Sequence, residues 1–76
     1  MNTYEVMIFA RHETIRAQFM AINIASAKRQ ATRWMKRYQA TVDLYLVGEL
    51  NHLTSIGLRI VDNHGIMVKF NNWIMK

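Results

Sequence analysis

The sequence predicts an α+β domain, an antiparallel sheet of about five strands in the order β-β-α-β-β-β with one amphipathic helix packed on one face. Three observations predict it. Short segments rich in β-branched and aromatic residues alternate from one side to the other, and they flank a single stretch whose apolar residues recur at helical steps. The connections are short, which favours antiparallel neighbours. No proline, repeat or low-complexity tract marks an internal boundary, so residues 1–76 are read as one domain.

The first strand is Thr3 to Arg11, where Tyr4, Val6, Ile8 and Ala10 alternate with Glu5, Met7, Phe9 and Arg11. After the polar break at Arg11 to Thr14, the residues Ile15, Ala17, Phe19 and Ala21 alternate with Arg16, Gln18, Met20 and Ile22, giving a second strand and a hairpin. Asn23 is suited to cap the helix, because its side-chain oxygen can accept from a backbone N–H that has no partner in the first turn.

From Ile24, the residues Ala27, Ala31, Trp34, Met35 and Tyr38 continue one apolar stripe, while Arg29, Arg33, Lys36 and Arg37 project from the other side. Core packing against the sheet is the favoured role for Trp34 and Tyr38, ahead of base stacking. A third strand covers Thr41 to Val47, and Gly48 to Thr54 turns the chain. Ser55 to Val61 then alternates with Ile56, Leu58 and Ile60 inward, and the turn Asp62-Asn63-His64-Gly65 leads to a last strand of Ile66, Val68 and Phe70.

In this register the uncovered face mixes Met7, Phe9, Met20, Ile22, Tyr45, Val47, Val61 and Met67 with Arg16, Gln18, Asp43, Arg59 and Lys69. A mixed apolar face of this kind marks a partner surface or a homodimer contact, although scattered exposed apolar residues are also ordinary.

Apolar residues make up 51% of the chain and charged residues 20%, a globular composition rather than a disordered one. Cysteine is absent, which removes disulfides, thiol nucleophiles and thiolate metal sites and suits the reducing cytoplasm. No window approaches a membrane span, and the apolar run near the N-terminus has no basic region before it, so neither insertion nor export is expected.

Catalysis is not expected either. His12, His52 and His64 fall at spacings that match no zinc pattern, and the carboxylates are scattered singly, without a dyad. Gly48, Gly57 and Gly65 form no phosphate-cradling loop, and Ser26 and Ser55 lack the context of an activated nucleophile. The reading is a binding protein without cofactor or metal.

The informative feature is charge. Ten Lys and Arg stand against five Asp and Glu, for a net charge of +5. No acidic residue occurs between Glu13 and Asp43, and Lys28, Arg29, Arg33, Lys36 and Arg37 all lie in that gap. A merely solubilising helix face mixes signs, since Glu–Lys pairs four residues apart each contribute a few tenths of a kcal/mol. Here such pairs are missing, so the helix gives up stability to be uniformly positive. That favours an anionic partner, either the phosphates of DNA or RNA or an acidic protein assembly, over plain solvation.

The segment Ala21 to Arg33, with its Ala27-Lys28-Arg29-Gln30-Ala31-Thr32 run, the following Thr41-Val42 strand and the late Trp73, resembles the small phage-encoded anti-CRISPR proteins that act on type I systems. In several of these a capped helix opening with such a run lies between an N-terminal hairpin and a C-terminal antiparallel sheet. The resemblance covers about two thirds of the chain, and it implies a host-cytoplasmic inhibitor that binds the subunits of a CRISPR surveillance complex and blocks hybridisation of target DNA. Carried over by position, it points to Lys28, Arg29 and Arg33. Lys36 and Arg37 join them through helical geometry, and a positive chain cannot mimic DNA, so the blocking is expected to be steric.

Overall fold

The N-terminal hairpin forms as its alternation predicts: β1 (Asn2–Phe9) pairs antiparallel with β2 (Thr14–Ala21), from Asn2 opposite Ala21 to Phe9 opposite Thr14. The computed structural model describes residues 1–76, except for the side chain of His64. Helix α1 (Ile24–Tyr38) follows and returns the chain to β3 (Thr41–Val47), which pairs antiparallel with the other side of β1. Next comes β4 (Leu53–Arg59), which is antiparallel to β3. The result is an α+β domain, one helix on a five-stranded antiparallel sheet whose elements open β-β-α-β-β-β.

The fifth place in that sheet belongs to a strand absent from the sequence reading. It is β7 (Ile74–Met75), which pairs with Gly57 and Leu58 and completes the order β2-β1-β3-β4-β7. The expected fourth strand breaks at Ile60. Its continuation, β5 (Val61–His64), forms a separate two-stranded ribbon with β6 (Met67–Phe70).

Local hydrogen bonds explain this departure. The Val61 N–H donates to the side-chain oxygen of Thr41 at 3.0 Å rather than to a ladder carbonyl, and the Asn71 N–H closes onto the Ile60 carbonyl at 3.0 Å. The turn of the ribbon is Gly65-Ile66, with Gly65 at φ 62°, so Asp62, Asn63 and His64 belong to β5 and not to the turn.

A bulge in β4 changes which side chains face the helix. Leu44 lies opposite Gly57 while its neighbour Tyr45 lies opposite Ser55, leaving Ile56 as an extra residue. Ile56 is buried in the core, as its apolar character requires. Beyond it the alternation is inverted relative to the sequence reading: Leu58 stands opposite Asp43 on the open face, and Arg59 stands opposite Val42 on the helix side.

The core lies between α1 and the sheet. Ala27, Ala31 and Met35 occupy successive turns of one helix face and are fully buried over Tyr4, Val6, Ile8, Val42 and Leu44. The two alanines let the helix approach the sheet closely, and Met35 fills the space that remains. Asn23 caps the helix as expected, its Oδ1 accepting from the Ser26 N–H at 2.9 Å. Gln39 ends it in the left-handed conformation, and the Ala40 N–H donates back to the Met35 carbonyl at 3.1 Å.

The apolar stripe is narrower than its periodicity implied. Trp34 is half-buried, edge-on to Phe19 with ring centroids 5.1 Å apart, as core packing requires. By contrast, Ile24 and Tyr38 lie at the rim, 46% and 39% exposed, because they sit at the two ends of the helix where the sheet gives less cover.

Candidate anion-binding face

Successive helical residues turn by about 100°, so Arg29, Arg33, Lys36 and Arg37 share an arc of roughly 100° on the side of α1 away from the sheet. All four are exposed. Lys36 and Arg37 fall in the last turn, where the negative end of the helix dipole favours them. Arg29 and Arg33 lie further from that end and gain little from it. Their side chains meet neutral acceptors: Arg29 Nη2 donates to Ser26 Oγ at 2.9 Å, and Arg33 Nη1 donates to Gln30 Oε1 at 3.1 Å. Among the described residues, no cation of the helix lies within salt-bridge distance of a carboxylate.

The five residues singled out in the sequence therefore fall into two groups. Arg29, Arg33, Lys36 and Arg37 form the ridge, and the Arg37 guanidinium lies 5.8 Å from the centre of the neighbouring Tyr38 ring. Lys28 is about 100° away around the helix, toward β4 and the C-terminal strand. It is half-buried there, with its ammonium 5.8 Å from the centre of the Trp73 indole.

Lys28 thus belongs to a groove that the sequence reading missed, walled by Arg29, Thr32 and Arg33 on the helix and by Arg59 and Trp73 on the sheet side. Among the described residues, no acidic side chain lines it. Arg59 is held rigidly, with Nε donating to the Asn71 carbonyl at 2.6 Å and Nη1 to Thr32 Oγ1 at 2.9 Å. Trp73 packs close to the backbone at Gly57: a Cβ there would stand 3.3 Å from the indole Cε3 and 3.1 Å from the Ile74 carbonyl oxygen. Arg29 and Arg33 also border a second groove on the opposite flank, beside Phe19, Met20 and Trp34, so the ridge runs between two clefts.

The open sheet face carries the opposite charge at its centre. Glu5 is buried there, accepting from Arg16 Nη2 at 2.8 Å and from Gln18 Nε2 at 3.1 Å. The Arg16 guanidinium holds the Glu5 carboxyl below the usual carboxylate range, against the opposing effect of burial. Beside it, Tyr45 donates its phenol proton to Asp43 Oδ2 at 2.6 Å, and this bond pushes the Tyr45 pKa up.

The face expected to mix apolar and polar residues is polar in the middle and apolar around it. Met20 is exposed at one edge and Ile74 at the other. Arg59 has left this face for the helix side, and Val61, Met67 and Lys69 have left it for the β5–β6 ribbon.

No helix of the described residues is long and apolar enough to cross a membrane. Comparison with family models, curated proteins and solved structures finds no match for this chain, so its ridge and groove stand on their own geometry.

Proposed function

We propose that this protein is a non-catalytic inhibitor that docks its basic helix on a type I RNA-guided surveillance complex in the host cytoplasm and blocks hybridisation of target DNA. One observation carries the reading: Arg29, Arg33, Lys36 and Arg37 stand on one exposed arc, and among the described residues no carboxylate lies within salt-bridge distance of them. Such an arc suits an acidic or RNA-bearing surface, because charge complementarity both steers association and fixes orientation. The resemblance of the Ala27 to Thr32 run to anti-CRISPR proteins selects the effector among such surfaces. Occlusion is steric, since a chain of net charge +5 cannot imitate DNA.

The test is co-purification with a type I effector, followed by target-DNA binding. A complex of fixed stoichiometry that no longer hybridises target is the expected result. Joint reversal of Lys28, Arg29 and Arg33 to Glu should abolish both effects, and inhibition that survives the reversal removes the ridge as the docking surface.

A second reading is a free nucleic-acid-binding protein, favoured by the same unpaired cations together with the aromatic groove beside them. It predicts gel shifts on random DNA without any effector, weakening by about 0.9 log units per tenfold salt for each phosphate neutralised. No shift at low salt ends this reading.

A further inference from the structure

We infer that the groove between α1 and the C-terminal strand is a binding site for single-stranded nucleic acid, with one base stacked on Trp73 and the adjoining phosphates on Lys28, Arg29 and Arg33. This deepens the nucleic-acid reading above and needs no effector. Trp73 is anchored over Gly57, and the strand that follows it is tied to β4 by the Ile74–Leu58 and Met75–Gly57 pairs. A half-buried indole held in this way offers a stacking surface whose ordering has already been met by folding.

Among the described residues, the one charged group lying over that ring is the Lys28 ammonium, at 5.8 Å from its centre. Lysine has a flexible stem, so a phosphate can draw the ammonium aside while a base takes its place over the indole. Arg59 remains fixed in the wall by its bonds to Asn71 and Thr32, and it adds a positive charge to the groove without being the mobile element.

The geometry selects a single strand over a duplex. Arg29 and Arg33 are four residues apart on one side of the helix, about 6 Å along the axis, which suits successive phosphates of an extended strand. In a duplex the bases are stacked on one another inside the helix and cannot lie on a protein indole unless they are first unstacked. The ridge alone can hold duplex phosphates, whereas the groove with Trp73 requires a free base.

Fluorescence anisotropy with labelled ten-nucleotide oligo-dT, its oligo-U counterpart and a ten-base-pair duplex provides the test, at 50 and 200 mM NaCl. The expected result is binding of the single strands at least fivefold tighter than the duplex, with Trp73→Ala weakening single-strand affinity fivefold or more and leaving duplex binding unchanged. Trp73→Phe should restore most of the affinity, which separates stacking from loss of fold. In a Trp34→Phe background, where Trp73 is the sole indole, oligo-dT should quench the emission.

Equal binding of duplex and single strand overturns the assignment, as does full affinity in a Trp73→Ala chain with unchanged circular dichroism, or no binding at 50 mM NaCl. The relative affinities of oligo-dT and oligo-U tell whether the strand is DNA or RNA. Effector inhibition lost on reversal of Arg29 and Arg33 but kept in Trp73→Ala distinguishes failure of this site from failure of the ridge.

Discussion

Replacing Arg16 by methionine isolates the buried carboxylate on the open sheet face. Methionine keeps the aliphatic cover over β1 but removes the guanidinium that lies 2.8 Å from Glu5. Breaking a fully buried ion pair from one side costs about 3–5 kcal/mol. Here the Glu5 side chain is 8% exposed but that of Arg16 is 58% exposed, so solvent screens the pair, and Gln18 keeps its own bond to the carboxylate. The loss is then nearer that of one charge-assisted hydrogen bond, about 2 kcal/mol at pH 7. In a domain of this size it lowers the melting temperature by about 10 °C.

The pH dependence gives a second handle on the same pair. Glu5 has a folded pKa below its ordinary value of 4.5, so its stabilisation is complete above that value and is lost as the pH falls through the folded pKa. Thermal melts between pH 7 and pH 3 should show the Arg16→Met deficit shrinking toward the acid end. In a Glu5→Gln background the same replacement should have less than half its effect. A deficit that does not change with pH, or one equally large without the Glu5 carboxylate, would show that the methionine acts through packing and not through the charge.

Three further outcomes can be measured on the same apparatus. Met35→Ala should lose about 3 kcal/mol in urea denaturation, because the side chain is fully buried between α1 and the sheet and the alanine leaves a cavity. Leu50→Gly should raise stability by about 1 kcal/mol, since Leu50 holds a left-handed backbone at φ 55° while its side chain is wholly exposed. Of the three tyrosines, Tyr45 should ionise above the ordinary value of 10.0 in an ultraviolet titration. Its folded pKa is raised by the bond to Asp43, so that contribution to stability is present below pH 10 and disappears as the pH climbs through the folded value.

Much of this architecture was legible in the residues. The period-two alternation of β1, β2 and β3 and the three- and four-residue steps of α1 each report a segment buried on one side, and such patterns survive tertiary context. Asn23 announced its cap because few side chains can satisfy an N-terminal amide. The unpaired cations at Arg29, Arg33, Lys36 and Arg37 were also readable, since a gap without acidic residues from Glu13 to Asp43 leaves few partners within reach.

What escaped depends on contacts distant in sequence. A bulge has no signature in alternation alone, so Arg59 was placed on the wrong side. The two-residue β7 is too short for any periodicity, and it exists because Gly57 leaves room for the tail to lie flush. Trp73 and Lys28 meet only through that tail, 45 positions apart along the chain, which is why the groove is visible in space and not in sequence.

The extra residue at Ile56 also governs how this chain should be compared with others. A chain lacking that one residue would pair Ser55 with Tyr45 and Gly57 with Leu44 in unbroken register, so Arg59 would stay opposite Val42 with its path to Thr32 while the core lost Ile56. Alignments across β4 should therefore carry a gap at this point. A natural variant with the gap would be a ready-made chain whose groove is intact but whose core has lost one of its side chains.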